Sequence, residues 1–561
     1  MRGLSFISLA VFLIGLASAR PIFAKEPGFN YTDEWENTEL SLPVLQEAVN
    51  SKNCMQSLNY FQACVSAINA VLEFANPGYE LVSTKYNFES ERLEKLIQSY
   101  GVLNFVEWKK QPAPKDVFAQ VKLDRAERRA KNAALIESWN SLRVKSFPFT
   151  RTLTNALRLA FEKNEKAKVI YANALNSYLQ LAFDPHTYIQ PASYFEFQNK
   201  KEEQSFVGIG IFLLNQEGRA VIQNAIEGSS GMEAGLKPGD EIISVDGLSV
   251  EGKELSEIVS KIKGDGGTAV KLQLKRGLET LELQILRREV KVKNVESFAT
   301  RAAGEMIGVI KVRQFIKNVC SKVKDSVEEL KSKDVKALVL DLRGNLGGLL
   351  EEAVCMTGLF VGIDQVVVTQ KDLQGVEVSQ HQSKQEKIVD LPLVTLLNAN
   401  SASASEVVSG ALQDLKRSWI LGLRSYGKGS VQGVFDIGGG VVKAQTTARF
   451  YLPSGRSNQI VGIIPDFEYY RNPIPTELDR YAEREEDEYE NALPVQGSSY
   501  VSPRLSEIAK LSECMTNTGQ ADVDYRREKE LLILPDYQML KAADLLRCVQ
   551  MEASAVASAK P

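Results

Sequence analysis

A chain of 561 residues is long enough for three or four domains rather than one. Its 44% apolar, 25% charged and 8% aromatic residues are those of an ordinary globular protein. A formal charge of −4, with no dense basic stripe anywhere, excludes a nucleic-acid footprint.

The first element is an apolar run behind Arg2, residues 4–19 (LSFISLAVFLIGLASA), with small-residue exits at Ala19 and Ala24. A basic start, a short apolar core and such an exit read as a cleavable signal peptide, residues 1–24, because the run is short for a bilayer span. Cleavage after Ala24 removes Arg2 and Arg20 and moves the formal charge from −4 to −6. Cleavage after Ala19 stays open. The expectation is an exported protein, periplasmic or secreted. Residues 25–200 carry apolar residues at three- and four-residue spacing over 42–72 and 116–181, which predicts a mainly helical N-terminal domain. Residues 201–291 turn glycine-rich and alternate with period two (FVGIGIFLL, TAVKLQLKR, TLELQILRR), a β-rich module with one longer helix at 255–264. Residues 292–470 alternate strand runs (306–312, 336–343, 391–400, 419–423) with helical ones (320–332, 348–361, 403–415). That rhythm predicts a largely parallel or mixed sheet covered by helices. Residues 471–561 are polar and then helical, and the run EREEDEYE at 483–490 reads as a solvated acidic face.

Six cysteines are present. In an exported protein Cys54 with Cys64 and Cys514 with Cys548 are local pairs able to staple helical segments. Cys320 and Cys355 sit in apolar surroundings and are expected as buried free thiols. No CxxC and no Cys/His cluster exists, so a structural zinc site is not expected.

The two histidines, His186 in DPHT and His381 in what reads as an exposed polar loop, are a thin supply for a Ser-His-Asp triad. A serine hydrolase here would draw on lysine. NSASASE (400–406) is a strand-to-helix junction, where a serine meets free N–H groups and the positive end of the helix dipole. Serine is also a common plain N-cap. In RSYGKGSVQ (424–432) Lys428 lies between two glycines that allow close packing around the amine. Burial would lower its pKa toward that of a usable base, and Gln432 could orient it. A lone GKG is more often a surface turn. DLRGNLGGLL (341–350) ends a strand and opens a helix. Gly347 and Gly348 could offer N–H groups to an oxyanion or simply make a tight turn, and the segment lacks the ending of a P-loop.

Taken in order, DPHT (184–187), IGVIKVRQF (307–315), LVLDLRGNLGG (338–348), SASASE (401–406), YGKGSVQ (426–432), RFYLPSG (449–455) and GIIPDFE (462–468) resemble the C-terminal processing, or tail-specific, serine peptidases over about half of the chain. The resemblance implies Ser403 as nucleophile, Lys428 as general base and Gln432 as its orienting partner. It implies an oxyanion hole from Gly347 or Gly348 with the Ala404 N–H, and a crotonase-like α/β protease core. Glu406, which follows the motif, is expected to tune or cap the helix start with no chemical role, His186 is expected to be structural, and the implied reaction needs no metal or organic cofactor. Residues 205–290, with PGDEIISVDG at 238–247, resemble the family's PDZ domain. Such domains add a peptide C-terminus to a sheet edge, and Val207, Gly208, Ile209 and Gly210 would hold its carboxylate. The implied whole is a multidomain α/β and α+β chain with helical N- and C-terminal regions. Its partners would be protein substrates with accessible C-terminal tails, with no nucleic acid, and with room for an adaptor protein and for homo-oligomers. A non-proteolytic PDZ receptor on the same core is the alternative.

Overall fold

The computed structural model describes residues 31–558 apart from 87–91, 110–116, 143–146, 164–165, 200–204, 217–218, 227, 238, 252, 254, 278, 292, 303–304, 474–483, 490, 496–499, 501 and 519–535. The expected signal peptide lies outside the described residues. Among those described, no helix is long and apolar enough to cross a membrane.

The functional core is built on a six-stranded sheet in the order Val295–Ala302, Glu305–Val312, Ala337–Asp341, Leu393–Leu397, Trp419–Gly422, Phe467–Glu468. The first pair is antiparallel and every later pair is parallel. The central strands are apolar throughout because both faces are covered. Side-chain alternation sends Ile310, Leu338, Leu340, Leu393 and Ile420 to one face, against the helices Val319–Ser332, Leu350–Val361 and Ala404–Asp414. The intervening Val309, Val339, Val394, Leu396 and Leu421 face the helices Leu505–Thr518 and Tyr537–Ser558. The C-terminal region is thus the second covering layer of this sheet. A second, antiparallel sheet runs Glu377–Gln382, Val366–Asp372, Val441–Tyr451, Ser430–Gly438. The strand Tyr188–Pro191, arriving from the N-terminal helices, pairs with Val441–Tyr451 and seats DPHT beside it.

The N-terminal region is less uniformly helical than its apolar spacing predicts. The helices Leu58–Ala75, Phe149–Phe161 and Ala167–Ala182 pack around Phe61, Ile68, Phe149 and Leu153. A three-stranded antiparallel sheet, Tyr79–Ser83, Leu103–Trp108, Leu93–Ser99, lies in the same region. In Leu93–Ser99 (LEKLIQS) the apolar residues fall at i, i+3 and i+4, a helical spacing that pairing with Leu103–Trp108 overrides. Residues 205–291 hold a sheet in the order Glu279–Leu286, Ala269–Arg276, Glu241–Val245, Arg219–Ala225, Ile211–Gln216, packed on the helix Leu255–Ile262.

Cys54–Cys64 and Cys514–Cys548 are disulfides. Cys320 and Cys355, expected as free thiols, are bonded to each other as well. Their helices lie side by side on the sheet, a neighbourhood created by the sheet and invisible at a separation of 35 residues. Cys514–Cys548 ties the two C-terminal helices together over a 34-residue separation. Replacing both cysteines by serine is expected to cost about 2–5 kcal/mol, read as a lowered midpoint in urea unfolding followed by circular dichroism.

Candidate active site

Three loops leave the C-terminal ends of three adjacent parallel strands and converge, the position where open α/β sheets place their ligands. The glycine loop follows Ala337–Asp341, the serine loop follows Leu393–Leu397, and the lysine loop follows Trp419–Gly422.

Ser403 is the N-cap of the helix Ala404–Asp414 and is almost fully buried, with φ 55° and ψ −113°. A non-glycine residue in that region carries about 1–3 kcal/mol of strain, which accumulates where a side chain must be aimed. Its two neighbouring serines hold the loop in place. The Ser401 hydroxyl donates to Leu342 O (2.9 Å) and that of Ser405 to Asn345 O (2.7 Å).

Glu406, one turn into the helix, is the hub. It has no exposed surface, and its two oxygens accept four hydrogen bonds. Oε2 takes the Ser403 N–H (2.7 Å) and the Lys428 N–H (2.9 Å). Oε1 takes the Gly427 N–H (2.8 Å) and the Ser425 hydroxyl (2.6 Å). One carboxylate therefore fixes the backbone of Ser403 against that of Lys428. Burial pushes Glu406 up to about 7, and its donors restrain the rise. The pattern S-x-x-E at 403–406 is a capping-box signature, and that signal was available in the sequence.

Lys428 is 5% exposed. Burial is the largest influence on its amine and brings it down to about 8, against the opposing pull of Glu485, Asp184 and Glu406. The close packing depends on Gly427, at φ 99°, where a Cβ would stand 2.6 Å from Ile460 O. Gln432 is buried nearby on the strand Ser430–Gly438. Its Nε2 donates to Ser430 Oγ (3.0 Å) and Thr446 Oγ1 (3.2 Å), while its Oε1 has no hydrogen-bond partner. Thr446 Oγ1 in turn donates to Asp184 (2.7 Å), which also accepts the His186 N–H and the Thr187 hydroxyl. The DPHT motif thus orients the Gln432 amide through Thr446, a link no local pattern signals.

In the glycine loop Gly348 has φ 139°, and a Cβ there would meet Phe315 O at 2.1 Å. The Gly347 N–H donates to Asn345 Oδ1 (2.9 Å), so of the two expected donors it is already engaged. Asn345, fully buried and missed by the sequence reading, also accepts the Ala402 N–H on its carbonyl and donates to Val312 O. It thereby locks the glycine loop to the serine loop. Ala404 is the first helical residue after Ser403.

The four expected carboxylate-binding residues lie apart from these loops. Val207 and Gly208 belong to the strand Ser205–Gly208, paired with Arg288–Lys291; Ile209 and Gly210 form the turn into Ile211–Gln216. Ile209 O and Gly210 O accept the N–H groups of Gly231 and Ile226. Ile211–Gln216 is the last strand of its sheet, beside the helix Leu255–Ile262.

Two expectations are corrected. His381 is not in a loop: it lies on Glu377–Gln382, beside Gln370 Nε2 (3.1 Å) and Ser379 Oγ (3.2 Å). The acidic run is not a solvated face over its described part, 484–489. Glu485 and Glu488 are buried, and the Glu485 N–H donates to Tyr426 O (3.2 Å) in the lysine loop. The groups that receive the run, Gln459 for Glu485, Tyr426 for Glu488, Arg424 for Glu486 and Arg125 for Asp487, come from distant elements and were not legible locally.

Replacing Glu406 by Gln puts an NH2 donor where two donors already converge. The variant should lose on the order of 10²-fold in kcat/KM and about 1–3 kcal/mol of stability. Steady-state peptide cleavage and thermal unfolding would read the two effects.

Residues 306–469 match the model of peptidase family S41, and residues 221–276 match that of a PDZ domain. The chain is 34% identical over 316 residues to a carboxy-terminal-processing protease of Bartonella bacilliformis, covering 55% of this chain and 71% of that one. It is 32% identical over 309 residues to a probable CtpA-like serine protease of Staphylococcus haemolyticus, covering 54% of this chain and 61% of the relative. Among solved structures it is similar to a photosystem II D1 C-terminal processing protease (29% identity, 55% of this chain and 84% of that one, TM-score 0.37). It is also similar to the PDZ domain of a Vibrio cholerae carboxy-terminal protease in complex with peptide (28% identity, 16% of this chain and 100% of that one, TM-score 0.15). The chain belongs to peptidase family S41, as a serine-type C-terminal processing peptidase that carries a PDZ domain.

Proposed function

We propose that the protein is an exported endopeptidase that captures unstructured C-terminal tails through its PDZ domain and cuts them with a Ser403–Lys428 dyad. The observation that carries this reading is a buried lysine with a lowered pKa, held by one carboxylate to the backbone of a strained serine. Neutral Lys428 Nζ takes the Ser403 proton as Oγ bonds to the substrate carbonyl carbon. The tetrahedral oxyanion is held by the Ala404 N–H and by Gly348, with Gly347 already engaged. Collapse breaks the C–N bond, and the Lys428 ammonium returns its proton to the leaving amine. Neutral Lys428 Nζ then takes a proton from water as the water oxygen bonds to the ester carbonyl carbon; the C–Oγ bond breaks, the proton passes to Ser403 Oγ and the carboxylate product leaves. Gln432 Oε1, buried without a partner, is suited to accept a hydrogen bond from Lys428 and aim it.

In this reading residues 1–24 are removed on export and the mature protein is periplasmic or secreted. Residues 25–200 form the N-terminal domain, 201–291 the PDZ domain, 292–470 a crotonase-like protease core and 471–561 the C-terminal region. The apolar tail would add to the sheet edge at Ile211–Gln216 with its carboxylate near Val207–Gly210. An adaptor protein or a homo-oligomer could present substrate.

The test is degradation of an unfolded reporter with an apolar C-terminal tail. Wild type should cleave it, and Ser403→Ala and Lys428→Ala should each lose on the order of 10³-fold or more. Equal cleavage by all three would sink the dyad. Binding of the tail without cleavage by any of them would point to a receptor.

The pH dependence has a definite sign. The base works neutral, so kcat/KM should climb through about 8 and fall about tenfold per unit below it. A fluorogenic peptide assayed from pH 6 to 10 would measure the limb.

A further inference from the structure

Beyond the protease core the chain returns to the site as a short acidic strap, residues 484–489. Glu485 lies at its centre with no exposed surface. Gln459 Nε2 donates to Glu485 Oε1 (2.7 Å), and Gln459 Oε1 accepts the N–H of Gly429 (2.9 Å). One glutamine therefore joins the strap to the residue that follows Lys428. His186 Nε2 stands 3.3 Å from the same Oε1. Glu485 Oε2 is buried without a hydrogen-bond partner.

The outer side of the strap is fastened by groups from other parts of the fold. Arg424 pairs with Glu486 (3.1 Å) and Arg125 with Asp487 (3.4 Å). Arg128 donates to Glu488 O (3.1 Å), and the Tyr426 hydroxyl donates to Glu488 Oε2 (2.5 Å). Three carboxylates on three elements act electrostatically on Lys428: Glu485 on the strap, Asp184 before the strand Tyr188–Pro191, and Glu406 on the helix Ala404–Asp414. The oxygens of Asp184 and Glu406 are taken up by hydrogen bonds to other groups. Glu485 alone among the three keeps an oxygen with none.

We propose that Glu485 is a positioning residue for the Ser403–Lys428 pair: the strap it anchors seats the lysine loop, and its buried carboxylate raises the pH at which Lys428 becomes a usable base. The inference rests on the Ser–Lys reading above. Its sign follows from electrostatics. A buried carboxylate favours the ammonium form and raises the pKa of the amine, while burial lowers it. Glu485 therefore keeps Lys428 from turning neutral at still lower pH. Removing its charge should move the rising limb of activity downward.

The test uses the full chain and a fluorophosphonate probe, which is small and independent of tail capture. Ser403 Oγ bonds to phosphorus, fluoride leaves, and Lys428 takes the proton. The labelling rate is measured against pH for wild type and Glu485→Gln. The expected result is a limb lower by about half a unit or more, so that below it the variant reaches about threefold more of its own plateau. Glu488→Gln loosens the strap without changing a charge that acts on Lys428, and its limb should coincide with wild type. A Glu485→Gln limb superimposed on wild type overturns the proposal, whatever happens to the plateau. Should that variant not fold, as judged by circular dichroism, Gln459→Met cuts the strap from Gly429 and leaves the charge in place. A plateau lowered about tenfold then supports the seating role, and an unchanged plateau overturns it. Labelling that persists in Lys428→Ala would remove the Ser–Lys reading itself, an outcome separate from the others.

Discussion

A single buried carboxylate, that of Glu406, holds the N–H groups of Ser403 and Lys428 at once. Residues 25 apart in sequence are thereby set in one frame whose accuracy is that of a pair of hydrogen bonds. Their loops arise from the ends of neighbouring parallel strands, so the sheet delivers them to the same edge. The sheet alone would leave them free to splay. Burying a carboxylate is costly without donors, and three of its four donors are backbone groups that the loops must satisfy in any case. The constraint is mutual: Glu406 needs both loops, and both loops need Glu406.

The surrounding layers maintain that arrangement. Asn345 ties the glycine loop to the serine loop through Ala402 and Ser405. Asp184, delivered by the N-terminal region, fixes Thr446 and through it Gln432. Arg343, at the mouth of the glycine loop, pairs with Asp341 and with Asp536 at the start of the last helix, so the C-terminal layer reaches the site as well. The N-terminal region and the C-terminal layer thus both end in polar contacts at the site, the first on Thr446 and Gln432 and the second on Arg343.

Polar burial at the lysine has two opposing effects. Loss of water lowers the affinity of the amine for its proton, while three nearby carboxylates restore part of it. Burial is the larger influence, and the carboxylates hold the balance at about 8. A lysine packed only in apolar groups would titrate lower. One paired tightly with a carboxylate would stay charged and useless as a base.

Much of the core was legible in the chain itself. The runs of the parallel sheet and its helices between 305 and 423 have the right periods, since burial on both faces writes continuous apolar runs for the strands and three-to-four spacing for the helices, whereas the strands Val366–Asp372 and Glu377–Gln382 were not read. Small residues and glycines marked NSASASE and YGKGSVQ as places of close approach, and the ordered resemblance to a peptidase family singled out Ser403, Lys428 and Gln432 within them. The S-x-x-E spacing even held the clue to Glu406. The sequence could not announce contacts made across long separations. Leu93–Ser99 has a helical spacing and becomes a strand because Leu103–Trp108 pairs with it. Cys320 and Cys355 look like isolated apolar thiols until the sheet sets their helices side by side. The acidic run looks solvated until Arg424, Arg125 and Tyr426 receive it. Local composition marked most elements of the parallel-sheet core and which side chains are chemically capable. Tertiary structure decided which of them meet, because a hydrogen bond or an ion pair depends on distance in space, and the chain records only distance along itself.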